Sequence, residues 1–177
     1  MIYLFFKNQW VEHTPEYLQP NFEKARLEPT LVGQHHVNTK NQRYLLKDGK
    51  PLIKLSDIMT RDLLHVSLKT PIKVCSHIMN HEGVHHLAVF DDGQFCGIIS
   101  DRDIRTISKL SNLDKIHVDQ IETTVVMGAS SELTVGQASL IMKNESINCL
   151  PVLDEDLNLA GIVTSSDLLR VLSNLVP

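Results

Sequence analysis

The sequence has little of what several classes of protein require. Its 177 residues include only three cysteines, with no CxxC pair. An odd number of separated cysteines argues against a disulfide framework and predicts reduced thiols in a cytoplasmic protein. No apolar run approaches the roughly 20 residues of a membrane-spanning helix, and the opening MIYLFF is too short for the apolar part of a signal peptide. The sequence therefore predicts neither export nor membrane association.

The chain also lacks an excess of positive charge and the common phosphate-binding loops. Its formal net charge of -4 does not favour nucleic-acid binding. Neither GxxxxGK[ST] nor GxGxxG occurs, so the P-loop and the dinucleotide-binding fingerprint are both absent. The order of serine, histidine and aspartate identifies no nucleophile with its base. The sequence therefore predicts no catalytic residue.

What the sequence does contain is an internal repeat. Positions from residue 55 onward align with positions 63 residues later, and one inserted residue then makes the shift 64. A register that persists over both copies predicts two tandem structural units. The matched pairs are Leu55/Val118, Ile58/Ile121, Ile78/Ile141, Val89/Val152, Gly97/Gly161 and Asp103/Asp167.

Each copy begins with a strand, a helix and a hairpin. The short β-rich runs are LLHV and VVM. In the first copy Thr70-Pro71 marks the start of a helix and Gly83 its end. HLAVFD and QFCGIIS then flank Asp92-Gly93, a hairpin signal. The second copy has the equivalent runs CLPVLD and LAGIVT, joined by a turn that is one residue longer.

A last helix completes each copy, from Asp101 to about Lys109 and from Ser165 to about Leu172. Short lead-in helices are predicted near LSDIM and VDQIE. The fold class that follows is α+β, with two β-α-β-β-α units in tandem. Their predicted boundaries are residues 52–116 and 117–177.

Residues 1–51 do not repeat and form an N-terminal extension of the predicted fold. The extension starts with apolar residues, MIYLFF, and has a tryptophan at position 10. This start predicts that it docks on the body of the protein or on a dimer partner. YLLKDGKPLI predicts a small hairpin around Asp48-Gly49.

The two copies end in the same motif, GIISDRDI and GIVTSSDL. Ser100 precedes Asp103 by three residues, as Thr164 precedes Asp167. One interpretation is a capping box, in which the hydroxyl accepts from the third helical amide and the acid accepts from the N-cap amide. This interpretation requires no ligand.

The other interpretation is a nucleotide site built on the same geometry. A helix start favours phosphate, the hydroxyl adds a donor, and the carboxylate can accept from both hydroxyls of a ribose. Gly97 and Gly161 would leave room for the ligand, and Arg102 is a further candidate phosphate contact. The two interpretations are compatible, because one helix start can be capped when empty and liganded when full.

This order of strand, hairpin, glycine, hydroxyl and aspartate, present twice, resembles a pair of CBS domains, the cystathionine-β-synthase-type or Bateman module. The resemblance covers roughly residues 52–175, with Ala88 in place of the proline usual in the family. It implies two repeats packed about a pseudo-twofold axis, with adenosine-containing ligands between them. Ser100 and Thr164 would then contact phosphate, and Asp103 and Asp167 the ribose. The residues that would line the adenine pocket are Thr60, Leu63, Thr123 and Val126.

The resemblance implies a regulatory module rather than an enzyme. Its ligand would be AMP, ADP, ATP, S-adenosylmethionine or a dinucleotide, and its readout a regulated partner protein or its own oligomeric state. A homodimer is expected, because closed twofold symmetry is the commonest arrangement of oligomers. The alternative is a purely structural or interaction pair whose clefts are empty.

One motif favours a different chemistry. HEGVH, from His81 to His85, has the spacing of a zinc-protease site, and a metal-dependent enzyme could use His77, His81 and His85. That chemistry needs both histidines of the motif on one helical face. Gly83 interrupts the helix, the alignment places Val84-His85 at the next strand, and the second copy reads NESIN. The sequence therefore predicts no metal site.

Overall fold

The strands divide between two β-sheets, one for each repeat. The computed structural model describes residues 1–18, 53–107, 113–121 and 125–174. A three-stranded sheet has the order β3-β4-β5, and a five-stranded sheet the order β2-β1-β6-β7-β8. The strands are β1 (Ile2–Phe6), β2 (Gln9–Glu12), β3 (His65–Ser67), β4 (His86–Asp91), β5 (Gln94–Ser100), β6 (Val126–Ser130), β7 (Cys149–Leu153) and β8 (Leu159–Thr164).

Five α-helices accompany these strands in the described part of the chain. They are α1 (Leu55–Ile58), α2 (Ile72–Glu82), α3 (Asp101–Ile107), α4 (Val135–Glu145) and α5 (Ser165–Ser173), with 3₁₀ turns at Glu16–Leu18, Leu113–Lys115 and Val118–Gln120. Among these residues no helix has the length and hydropathy needed to cross a bilayer.

The predicted β-α-β-β-α order is confirmed in both repeats, and the α+β fold class with it. In each repeat the first strand lies parallel to the second, and the second pairs antiparallel with the third. Both hairpins have a register shift at the equivalent place, between Val89 and Phe90 and between Val152 and Leu153. The repeats therefore share even the irregularities of their sheets.

The hairpin turns follow from their residues. Asp92 and Gly93 both have positive φ, 46° and 78°, as a two-residue turn between antiparallel strands requires. Phe90 pairs with Phe95 across this turn, whereas Leu153 pairs with Leu159 in the second repeat. The second turn is thus one residue longer, as predicted.

Helix α2 begins one residue later than the sequence predicts. Its N-cap is Pro71 rather than Thr70, because the Thr70 hydroxyl accepts a hydrogen bond from the Ser67 amide instead (3.1 Å). The helix stops as predicted at Gly83, which has φ of 67°. Residues 108 and 109, at the predicted end of α3, lie outside the described residues, as do Glu122 of the second lead-in and the predicted hairpin around Asp48-Gly49.

The two repeats exchange their lead-in helices. Leu55 of α1 belongs to repeat 1 in sequence, yet it is fully buried in the core of repeat 2, where its amide donates to the Leu133 carbonyl (2.8 Å). Its equivalent Val118 is fully buried in the core of repeat 1, and its amide donates to the Thr70 carbonyl (3.0 Å). The units that pack together therefore differ from the units that repeat in the sequence.

The start of the N-terminal extension docks on this body through a hairpin, β1 and β2. Strand β1 pairs antiparallel with β6 of repeat 2. Trp10 lies over Gly128, where a Cβ atom would come within 2.6 Å of the indole ring. The rings of Phe5 and Trp10 also contact Phe95 of repeat 1, at centroid distances of 5.0 and 5.5 Å. The hairpin is consequently attached to both repeats.

Candidate functional site

A cleft of about 680 Å³ lies between the two repeats. This volume falls within the roughly 300–1,000 Å³ typical of small-molecule sites. Equivalent segments of both repeats form the walls: the turns after α2 and α4, the ends of β5 and β8, and the first turns of α3 and α5. Thr123 lies outside the described residues. The other predicted ligand-binding residues all line this cleft: Thr60, Leu63, Ser100, Arg102, Asp103, Val126, Thr164 and Asp167.

The Ser100–Asp103 motif forms a cap at the start of α3. Asp103 Oδ2 accepts hydrogen bonds from the Ser100 amide (2.9 Å) and the Ser100 hydroxyl (2.6 Å). The Asp103 amide in turn lies 3.3 Å from Ser100 Oγ. The strand β5 delivers Ser100 to the cleft, and the helical turn holds the carboxylate beside it.

The Thr164–Asp167 motif repeats this geometry at the start of α5. Asp167 Oδ2 accepts from the Thr164 amide and hydroxyl, both at 2.8 Å. The second oxygen, Oδ1, accepts from Arg170 Nη2 at 2.8 Å. Asp167 is only 8% exposed, and these partners compensate its burial. The capping interpretation is therefore confirmed for both motifs, and it leaves both carboxylates on the wall of the cleft.

A crossing segment joins the two repeats beside the second motif. The Thr60 amide donates to the Ile162 carbonyl and the Ile162 amide donates to the Thr60 carbonyl, both at 2.9 Å. Thr60 of repeat 1 therefore lies next to the strand that ends at Thr164 of repeat 2. The sequence did not predict this pairing, because it follows from the exchange of lead-in helices.

The same crossing explains Gly161, and corrects its predicted role. A Cβ atom at Gly161 would lie 2.8 Å from the Thr60 carbonyl oxygen and 2.8 Å from the Met59 sulfur. The glycine thus leaves room for the crossing backbone, and the prediction that it leaves room for a ligand is wrong.

Two histidines complete the repeat 1 wall, and neither belongs to the motif from which the site was predicted. His86 is the cross-strand partner of Ser100 in the β4–β5 ladder, so both side chains project to the same face. Burial lowers the pKa of His86, against the opposing effect of the Asp101 and Asp103 carboxylates. His85 Nδ1 lies 3.2 Å from Asp101 Oδ2. Counting back from the Asp92-Gly93 turn would have placed His86 opposite Ile99, and only the register shift between Val89 and Phe90 brings it opposite Ser100.

The HEGVH stretch does not have the geometry of a zinc site. Helix α2 ends at Glu82, Gly83 is left-handed, and His85 projects to the cleft beyond the helix. His81 is exposed and its Nδ1 lies 2.8 Å from Glu82 Oε1. Across the described ranges no three histidine, cysteine, aspartate or glutamate side chains are grouped so that they could hold a metal ion.

The three cysteines form no disulfide among the described residues. Burial raises the pKa of Cys75 to about 11 and also raises the pKa of Cys149, which lines the repeat 2 side of the cleft. Both thiols are therefore protonated at neutral pH and poor nucleophiles.

One protein-family model matches both repeats of the chain. Residues 55–109 and 118–174 each match the family model of the CBS domain. The chain belongs to the CBS-domain family. The resemblance deduced from the repeated motif is thereby confirmed, and the two repeats form a tandem CBS pair.

Relatives of this CBS pair occur both in short proteins and in larger enzymes. A CBS domain-containing protein of Dictyostelium discoideum is 33% identical over 135 residues, which cover 70% of this chain and 92% of that protein. Homoserine O-acetyltransferase of Methanosarcina acetivorans is 35% identical over 128 residues, covering 71% of this chain and 23% of the enzyme. The chain thus spans less than a quarter of the length of that enzyme.

Solved structures include a CBS pair with ligands. The CBS domain pair of protein MJ0100, in complex with 5'-methylthioadenosine and S-adenosyl-L-methionine, superposes with a TM-score of 0.63 at 25% sequence identity. The similarity covers 71% of this chain and 99% of that chain. The two-repeat fold is therefore that of known CBS pairs.

Proposed function

We propose that this CBS pair is a regulatory module that binds an adenosine-containing ligand in the cleft between its repeats. The observation that carries the proposal is the convergence of both hydroxyl–aspartate motifs on one cleft of about 680 Å³. A motif that only capped its helix could face any direction. Here both caps lie on the walls of a single cavity large enough for a nucleotide.

The side chains in the cleft suit the parts of a nucleoside. The carboxylates of Asp103 and Asp167 are acceptors for ribose hydroxyls, and the Ser100 and Thr164 hydroxyls can donate to phosphate oxygens. Apolar residues at the lead-in segments, including Leu63 and Val126, provide a surface for the base. The adenosyl ligands of the similar MJ0100 pair support adenosine as the nucleoside.

Regulation would follow from the position of the cleft. Its walls come from both repeats, so a bound ligand contacts both and favours the relative packing that binds it better. A ligand shifts a conformational equilibrium only through such a difference in affinity. The altered packing would be sensed by a regulated partner protein or by the oligomer of the CBS pair, and no step of catalysis is involved.

A ligand panel tests the proposal. We expect at least one of AMP, ADP, ATP, S-adenosylmethionine or NAD to raise the melting temperature of the protein. At 100 times its dissociation constant a ligand contributes roughly 2.7 kcal/mol, which for a chain of this size is a shift of about 5–10 °C. Guanosine and cytidine monophosphates are the controls for the base. Absence of a shift with every adenosine compound would leave the purely structural pair as the function.

A homodimer is the second part of the proposal. Leu169 and Leu172, one helical turn apart on α5, are 65% and 54% exposed. Such a paired apolar surface suits an isologous contact with a second copy. Sedimentation equilibrium at tens of micromolar is expected to give a dimer, and Leu169→Lys with Leu172→Lys a monomer. Val11→Lys, at a residue 54% exposed on β2, is the control. A wild-type monomer would contradict this part.

A further inference from the structure

The two walls of the cleft have the same backbone but different charges. In the shared motif, Ser100–Asp103 in repeat 1 and Thr164–Asp167 in repeat 2, the aspartate Oδ2 accepts from the amide and the hydroxyl of the residue three positions before it. The surrounding positions are not matched. In repeat 1 they supply two guanidinium and two imidazole groups to the cleft, whereas their repeat 2 counterparts supply none. The pairs are Arg102/Ser166, Arg105/Leu169, His85/Asn148 and His86/Cys149.

The repeat 1 wall has a cation available for a ligand. The Asp101 carboxylate is shared by Arg105, at 2.6 Å, and His85, at 3.2 Å. Arg102 differs, because its exposed guanidinium forms no ion pair or hydrogen bond with the residues that the structure describes. An anionic group entering here would meet Arg102 without breaking an existing pair. The Ser100 hydroxyl and the His86 ring lie side by side on the same wall.

The two aspartates also differ in the state of their second oxygen. Asp103 Oδ2 takes both hydrogen bonds of the cap, and Oδ1 accepts none from the described residues. Asp167 Oδ1 is already bound by Arg170 at 2.8 Å, and Asp167 is 8% exposed. The counterpart of Arg170 is Thr106, whose hydroxyl donates to the Arg102 carbonyl instead.

These differences act in the same direction on a phosphorylated ligand. A ribose binding to both oxygens of a carboxylate finds one free at Asp103, whereas at Asp167 it must displace Arg170. A phosphate beside Asp103 gains a charge-assisted hydrogen bond from Arg102, which is stronger than a bond from a neutral donor. Among the described residues that line the cleft, a phosphate beside Asp167 would find neutral side chains such as Thr164, Ser165 and Ser166, and the nearby Arg170 is already paired with Asp167.

We infer that the cleft binds one phosphorylated adenosine ligand per chain, in the half formed by Ser100, Arg102 and Asp103, and that the Thr164–Asp167 half does not take phosphate. This inference rests on the proposed function and specifies its ligand: a nucleotide rather than an uncharged adenosyl compound, with its phosphate toward Arg102. The two repeats of the CBS pair thus share their backbone fold but differ in the charge that they bring to the cleft.

Isothermal titration of the full chain with adenosine and with AMP tests the inference. AMP is expected to bind at one site per chain and at least tenfold more tightly than adenosine. Arg102→Gln should remove most of that tenfold advantage and leave the affinity for adenosine within about twofold of the wild type. Ser166→Ala, at the equivalent position of repeat 2, is the matched control and should change neither affinity. Arg102 is exposed, so its replacement should leave the fold intact.

The aspartates provide an independent comparison. Asp103→Asn is expected to weaken the binding of AMP at least tenfold, and Asp167→Asn to weaken it by a clearly smaller factor. Two equal AMP sites, an unaltered preference for AMP in Arg102→Gln, or a larger loss in Asp167→Asn would overturn the inference and leave the proposed function intact. Absence of binding by both adenosine compounds would overturn the inference and count against the proposed function as well.

Discussion

Phe5→Ala is expected to lower the free energy of unfolding by about 3–5 kcal/mol, as truncation of a buried phenylalanine does. Phe5 is 3% exposed, and its ring centroid lies 5.0 Å from those of both Trp10 and Phe95. It also packs in one cluster with Ile98 of repeat 1 and Val126 of repeat 2. For a chain of this size the melting temperature should fall by roughly 6–20 °C.

Phe6→Ala is the matched control, because Phe6 follows on the same strand with its side chain on the opposite face. Phe6 is 52% exposed, and the Lys7 ammonium lies over its ring, 5.3 Å from the centroid. Its truncation should cost less than about 1 kcal/mol. Chemical denaturation of both variants measures the difference. Equal and small effects would show that the N-terminal hairpin does not pack on the CBS pair as the structure has it.

Leu55→Ala is expected to cost about 2–5 kcal/mol, the range for a leucine deleted from a packed core. Leu55 is fully buried although α1 has only four residues. So short a helix has no stability of its own, and it is held by the core of repeat 2. Leu64→Ala, at a residue 39% exposed, is the control and should cost less than about 1 kcal/mol.

A double-mutant cycle distinguishes which repeat receives α1. Leu55→Ala combined with Leu133→Ala of repeat 2 should give a coupling energy of about 0.5–3 kcal/mol, as residues in one cluster do. Combined with Ile72→Val in the core of repeat 1, the effects should add within about 0.5 kcal/mol. Coupling to Ile72 instead of Leu133 would contradict the exchange of lead-in helices.

Much of the candidate site was predictable from the sequence, because its parts are local. The hydroxyl and the aspartate are three residues apart, so one helical turn places Asp103 beside Ser100 whatever the rest of the chain does. The Asp92-Gly93 turn determines the pairs next to it, Asp91 with Gln94 and Phe90 with Phe95, because both turn residues adopt positive φ. The register shift beyond Phe90 was not predictable from the turn. Repetition then supplied the second copy at Thr164 and Asp167, including the turn that is one residue longer.

The choice of sheet for the N-terminal hairpin was not predictable, because it depends on complementary surfaces far apart in the sequence. Each repeat has a first strand with an edge that could accept β1. In repeat 2 that strand has Gly128, and the indole of Trp10 occupies the space beside it. A Cβ atom at this position would lie 2.6 Å from the indole ring. The equivalent residue of repeat 1 is His65, whose ring packs edge-on against Phe90. Only the folded surfaces show that one edge has room for the hairpin.

The sequence by itself thus determined the repeated unit, the position of both hydroxyl–aspartate motifs and the family of the protein, since these depend on spacing within one helical turn or one hairpin. The tertiary structure decided what those units do together. It exchanges Leu55 and Val118 between the cores, uses Gly161 to admit the crossing chain, and pairs Asp167 with Arg170 while leaving one oxygen of Asp103 available. The physical reason is that each of these features requires two surfaces to meet, and the order of residues does not specify which surfaces are complementary.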